Sequence, residues 1–150
     1  MEERALQLLE LPDHLLFAHG GCHVFALALR EFFRLPLVWI HEDGGLHDHV
    51  ACDGGDRHIV DVFGWVSYPE YIRAERFDDR AIRFDPIQEE EVKRRFTLVR
   101  GSGYYAHPDF YMPALGRADA WITKHREIFE GASKIVIPGL SRIQKAAAVY

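Results

Sequence analysis

Cys22 follows Gly20-Gly21 directly and opens an apolar run, Cys22-His23-Val24-Phe25-Ala26-Leu27-Ala28-Leu29. The run is apolar nearly all round, which predicts a helix buried within a domain; polarity returns only at Arg30, Glu31 and Arg34, where the helix is expected to end. The leading N–H groups of such a helix lack intrahelical acceptors and lie at the positive end of its dipole, so a thiol placed there is biased toward thiolate. Downstream, His49 starts a short apolar strand, His49-Val50-Ala51-Cys52, and Asp61 closes the next, Ile59-Val60-Asp61. A nucleophilic thiol needs a base for its proton and a third group to orient that base. Cys22, His49 and Asp61 supply these in the chain order Cys, His, Asp.

Each of these residues also has an ordinary alternative. Free cysteine is commonly a core residue, and that reading suits Cys52, inside a strand with no flanking signal. Nine histidines create accidental Cys/His pairings. His47 shares strand parity with His49 and is a second candidate base, whereas His41 and His58 read as surface or structural. Asp61 lies between Val60 and Val62, where a carboxylate needs a partner because an unpaired buried charge is costly; its alternative role is a strand-end cap. His47-Asp48-His49, with Cys22 or Asp53 nearby, could instead hold zinc or iron, since alternate strand residues face the same way. No second cluster with finger spacing accompanies it, and neither a metal nor a cofactor is expected. Tyr104, Tyr105, Phe110 and Tyr111 read as core and loop packing, although Tyr104 or His107 could line an acceptor cleft. Trp65 could cover the His-Asp pair or pack as a core residue.

The elements that must position these residues follow from periodicity and turn chemistry. Residues 2–10 read as a helix closed by Pro12, followed by a loop containing Asp13, His14, His19, Gly20 and Gly21. Leu37 to Ile40 reads as a strand with Glu42-Asp43-Gly44-Gly45 as its turn. Strands over about 49–52 and 57–61 flank Asp53-Gly54-Gly55-Asp56, giving an antiparallel meander. A plain Gly54-Gly55 turn would pair His49 with Val60 and put Asp61 on the opposite face, because side chains alternate. For His49 and Asp61 to share a face the hairpin must be irregular, through a bulge or a longer loop. Further on, the pattern predicts a short helix over 69–74, a helix starting at Asp85-Pro86 with Glu89 and Glu90 and reaching about Phe96, and a strand over 97–100. A turn-rich loop over 101–108, a helix over 113–129, and an edge strand over 134–137 before Pro138-Gly139 complete the reading.

At 150 residues, 48% hydrophobic and 27% charged, the chain reads as a single domain over 1–150 that can bury a core without disulfides. No apolar run reaches transmembrane length, and the start Met1-Glu2-Glu3-Arg4 is unlike a secretory signal, so a cytoplasmic protein with no membrane partner is expected. Two cysteines do not make a disulfide framework, and a reducing compartment keeps both as thiols. The net charge of −5 is uneven: residues 1–61 carry four Arg/Lys against eleven Asp/Glu, and residues 117–150 carry six against three. An acidic half around the candidate site argues against nucleic acid as substrate. The basic tail with Lys134, Arg142 and Lys145 reads as solvated surface.

Gly-Gly-Cys at the head of a buried helix, then His leading an apolar strand, then Asp ending the next, resembles the papain-like superfamily in its broad sense. That group includes papain-like cysteine peptidases, transglutaminase-like proteins and arylamine acetyltransferases, and the stretch 49–64 is similar to small bacterial and phage-associated members. The resemblance covers about 20–65. It implies an α+β papain-like fold, with a central N-terminal helix packed on an antiparallel sheet, a thiolate nucleophile at Cys22, a general base and acid at His49, and an orienting carboxylate at Asp61. It implies a thiol hydrolase or acyltransferase acting on an amide of a protein or peptide substrate, as peptidase, deamidase or transglutaminase-like enzyme. One departure is that papain-like peptidases carry a Gln about six residues before the cysteine, as an oxyanion donor, where this chain has Leu16. Losing such a donor costs about 2.7–4 kcal/mol. His14, His19 or a backbone N–H could substitute. Alternatively, the protein is a binding module on the same scaffold, interacting with a host or phage protein, or a metal-binding protein using His47 and His49.

Overall fold

The computed structural model describes residues 3–43, 48–75, 81–95 and 108–130, with the side chains of 3 and 4 excepted. Within them the chain is α+β, with helices packed on a five-stranded antiparallel sheet of order β4-β3-β2-β1-β5. Helix α1 (Glu3–Leu9) is followed by α2 (Asp13–His19) and α3 (Cys22–Phe33). The strands are β1 (Leu37–Glu42), β2 (Asp48–Gly55), β3 (His58–Asp61), β4 (Gly64–Ser67) and β5 (Ile82–Pro86). Helix α4 (Tyr68–Glu75) leads from β4 toward β5, and α5 (Glu89–Arg94), α6 (Pro108–Lys124) and α7 (Arg126–Phe129) complete the described chain.

The apolar run after Gly21 forms α3 as its pattern predicts, with Cys22 to Leu29 all buried. The helix stops at Arg34, which takes a left-handed conformation and donates its N–H to Arg30 O at 2.7 Å. Cys52 of β2 donates its thiol to Ala26 O at 3.3 Å, placing the body of α3 against that side of the sheet. A large core forms there from α3, α6 and the β2 and β3 residues Val50, Cys52 and Val60. A smaller one, containing Val38, Ile40, Ala51, Ile59, Tyr71 and Ile82, covers the other face.

Several elements differ from the expectation. Residues 13–19 form a helix instead of a loop. Pro12 ends α1 and, in extended conformation, starts α2, its carbonyl accepting from the N–H groups of Leu15 and Leu16. Burial of Leu16 and Phe17 then outweighs the loop character of the flanking polar residues. Asp85 and Pro86 do not start a helix: they end the edge strand β5, where a proline costs no ladder bond on its open side. Helix α5 begins three residues later. Helix α6 starts at Pro108 and continues through Pro113, and a turn at His125 separates it from α7. Strand β4 was not expected. The strands anticipated over 97–100 and 134–137, the loop over 101–107, and His47, Tyr104, Tyr105, His107, Lys134, Arg142 and Lys145 lie outside the described residues. Among the described residues, no helix is long and apolar enough to cross a membrane.

The hairpin between β2 and β3 is irregular, as a shared face for His49 and Asp61 requires. Cys52 pairs with Val60 and Asp53 with Ile59, but Gly55 pairs with His58, leaving Gly54 as the extra residue of a bulge. The turn itself falls at Asp56-Arg57, with φ of 49° and 58°, beyond the Gly54-Gly55 pair expected to form it. Positive φ at both central residues is the signature of a tight hairpin turn whose twist matches the strands. With Cys52 opposite Val60, alternation puts His49, Ala51, Ile59 and Asp61 on one face.

Candidate active site

Two glycines let α1 and α2 pack closely around the start of α3, where the thiol is set. The N–H groups of Gly20 and Gly21 both donate to Leu16 O, at 3.2 and 2.9 Å. A Cβ on Gly20 would stand 2.5 Å from a Leu8 methyl, and one on Gly21 would lie 3.1 Å from the Phe17 ring. Gly21 then caps α3 without a side-chain acceptor. The leading N–H groups of the helix, that of Cys22 among them, have no acceptor within the helix and point past its end. Cys22 is its first residue.

Across from it, His49 is the second residue of β2. The body of α3 lies on the Cys52 side of the sheet, while His49 alternates to the side covered by α4, so Cys22 and His49 meet where the helix begins and the strand begins. Their side chains are hydrogen-bonded. His49 Nε2 faces Asp61 Oδ2 at 3.2 Å, and Asp61 uses Oδ1 to accept the Phe63 N–H at 3.0 Å. With Nε2 committed to the carboxylate, Nδ1 is the nitrogen left for the sulfur. Cys22, His49 and Asp61 are each no more than 6% exposed. The structure therefore brings together the three residues singled out from the sequence.

Electrostatics reinforce the contact. Burial pushes the Cys22 thiol upward, but the neighbouring His23 and His49 imidazoles outweigh it and bring the thiol down to about 5. Burial likewise works against a charged His49. The Asp61 hydrogen bond and the Cys22 sulfur overcome it and raise the imidazole to about 9. Both shifts favour a thiolate beside an imidazolium. Cys52 gives the contrast: buried in apolar surroundings, its thiol is pushed up to about 12, consistent with the core role expected for it.

Two residues at the site were not foreseen. His23, the second residue of α3, is 3% exposed and is one of the two imidazoles that lower the Cys22 thiol. The signal was an imidazole inside an otherwise apolar run, since a buried ring N–H needs a partner. The ring lying over His49 belongs to Tyr71 of α4, nearly parallel at an interplanar angle of 15° with centroids 6.0 Å apart. Trp65, considered for that place, instead lies over Gly54 and packs against the larger core. The link from Tyr71 to His49 runs through a helix packed on the sheet, and no local spacing reveals it.

The remaining candidates sit elsewhere. His41 pairs with Asp85 at 2.6 Å, and the His58 ring contacts Asp56 O at 2.8 Å within the turn, both structural roles. Asp53 accepts the Gly55 N–H at 2.8 Å inside the bulge. Phe110 is core, and Tyr111 packs partly buried against it. Among the described residues no group of three or more His, Cys, Asp or Glu is arranged to hold a metal ion. Leu16, where the papain-like resemblance calls for a Gln, is fully buried in the core.

No protein-family model, no curated protein and no solved structure matches this chain.

Proposed function

We propose that the protein is a papain-like thiol hydrolase or acyltransferase that acts on an amide of a protein or peptide substrate. The observation that carries this reading is the relay from the Cys22 sulfur through the His49 ring to Asp61, closed by the 3.2 Å His49–Asp61 contact. The Cys22 thiolate attacks the substrate carbonyl carbon, forming a C–S bond while the carbonyl electrons move onto oxygen. The resulting oxyanion lies beside the leading N–H groups of α3, which act as donors. His49, already protonated, gives its proton to the departing amine as the C–N bond breaks, leaving a thioester. The neutral imidazole then takes a proton from water or from an acceptor amine, which attacks the thioester and releases Cys22. Asp61 holds the ring orientation and stabilises its charged form throughout. A nucleophile that must stay reduced suits a reducing compartment such as the cytoplasm.

The test is labelling with iodoacetamide at mildly acidic pH, read by mass spectrometry of the Cys22 peptide. Wild type is expected to label, Cys22→Ala to lose that label, and His49→Ala to label more slowly. Equal labelling of wild type and His49→Ala would overturn the reading.

A further inference from the structure

We propose that Gly64 is a positioning residue of the thiol site: its backbone closes the β3–β4 turn so that Asp61 holds Phe63 with one carboxylate oxygen and His49 with the other. The inference rests on the thiol-enzyme reading above and names what aims the acid within it. Asp61 and Gly64 face each other as the last pair of the β3–β4 ladder, with only Val62 and Phe63 between them. Asp61 Oδ1 accepts the N–H of Phe63, two residues on, at 3.0 Å, while Oδ2 lies 3.2 Å from His49 Nε2. The first of these is the local bond by which an aspartate side chain stabilises a turn. Because that oxygen is fixed to the turn, the place of the other follows from where the Phe63 N–H points.

A two-residue hairpin reverses the chain in step with the twist of its strands when positive φ is available at its centre. The β2–β3 turn takes it at Asp56 and Arg57. At β3–β4 the central residues are a β-branched valine and a phenylalanine, for which positive φ is costly, and neither adopts it. The positive φ falls instead on Gly64, at 91°. Val62 and Phe63 are 1% and 4% exposed and belong to the larger core, so the tip of this turn is anchored by packing. A side chain at residue 64 sets its own preferred φ against that buried tip. The strain then passes to the peptide between Val62 and Phe63, whose N–H Asp61 holds, and the carboxylate turns with it, away from His49.

The test is a double-mutant cycle read on the titration of the His49 ring by NMR, with iodoacetamide alkylation of Cys22 followed against pH in the same proteins. Burial lowers the His49 imidazole and the Asp61 hydrogen bond opposes it, so a carboxylate turned away lowers the titration from its value of about 9. Gly64→Ala should move the midpoint down by about one pH unit, a tenfold weaker hold on the proton. It should also slow alkylation at mildly acidic pH. In an Asp61→Asn background, where the charge that Gly64 aims is gone, the same substitution should move the midpoint by no more than about 0.3 unit. A glycine needed only for stability would lower the urea midpoint and leave the titration of the folded protein in place. Gly64→Asn, which tolerates positive φ better than alanine, should lie between wild type and Gly64→Ala, and it carries the same cycle where Gly64→Ala does not fold. An unmoved His49 midpoint in the folded variant, or equal shifts in the two backgrounds, would overturn the inference and leave the thiol reading standing. If wild-type Cys22 is alkylated only above about pH 8, as an ordinary thiol is, the thiol reading itself fails and the role of Gly64 fails with it.

Discussion

At the scale of single residues, the protein contains its own control. Cys22 and Cys52 are both free and both buried, yet one thiol is held near 5 and the other is pushed up to about 12. Burial acts in the same direction on each, so the difference comes from the two imidazoles around Cys22. The thiolate fraction at Cys22 increases as pH rises through about 5, and the His49 proton is lost as pH rises through about 9; both values belong to the coupled pair. Alkylation of Cys22 should therefore climb around pH 5 and stay high, whereas amide turnover, which needs the imidazolium as well, should fall again around pH 9. Peptide mapping after alkylation should show Cys52 unmodified throughout. A Cys22 profile rising only above about pH 8, the region of an ordinary thiol, would contradict the ion pair. Asp61→Asn keeps the side-chain shape and an oxygen for the Phe63 N–H but removes the charge that favours imidazolium. It should lower the upper limb of the turnover profile below 9 and slow turnover at neutral pH by about 10²–10⁴-fold, measured on a peptide amide or an activated ester.

At the scale of elements, the site depends on the parity of one hairpin. The bulge at Gly54 puts His49 and Asp61 on a common face, and Gly54 itself lies under Trp65, where an added Cβ would come 2.3 Å from the indole ring. Gly54→Ala must displace the indole or the strand. It should destabilise the protein by about 1–3 kcal/mol in urea denaturation, the usual cost of overpacking. Trp65→Leu in the same chain should recover part of the loss, and this non-additivity is the sign that the two residues share one space. The need for an irregular hairpin was legible because alternation is local and strict: once His49 and Asp61 were taken as partners, a plain turn was excluded. The turn's position was not legible, because Gly54-Gly55 is a strong turn signal, yet Gly54 sits in the bulge and the two central turn residues are Asp56 and Arg57, which follow Gly55 with positive φ of their own. The α3 boundaries were readable from an apolar run with a polar end. Helix α2 was missed because its two buried residues, Leu16 and Phe17, gain their meaning from tertiary packing, and β5 because its inward residues do not stand out without the β1 partner. Tyr71 shows the same limit at the site, since its contact with His49 depends on where α4 rests against the sheet.

At the scale of the molecule, the start of α3 is held by a chain of contacts passing through other layers. Gly20 and Gly21 bind α3 to the last turn of α2 through Leu16 O, and α2 is in turn fixed to α6 by Arg117. The Arg117 guanidinium donates to Asp13 Oδ1 at 2.6 Å, to Leu9 O at 2.8 Å and to Leu11 O at 2.5 Å, spanning the junction of α1 and α2 from a helix about a hundred positions away. Three charge-assisted bonds to partly buried acceptors thus tie the two ends of the described chain together. Arg117→Ala leaves two backbone carbonyls and a carboxylate to find water and should lower stability by about 2–4 kcal/mol, seen as a lower urea midpoint. Arg117→Lys should recover only part of it, because an ammonium cannot match a fork that reaches three oxygens at once. The thiol should be indifferent: the groups that set Cys22 are His23 on its own helix and His49 on the sheet, whereas the Arg117 bonds go to Asp13, Leu9 and Leu11. The alkylation profile of folded Arg117→Ala should therefore keep its rise around pH 5 while the protein unfolds more easily. A profile displaced by a full pH unit in the folded variant would mean instead that the α1–α2 layer presses the thiol into place, and that the charge state of the site is set by the whole fold and not by its immediate neighbours.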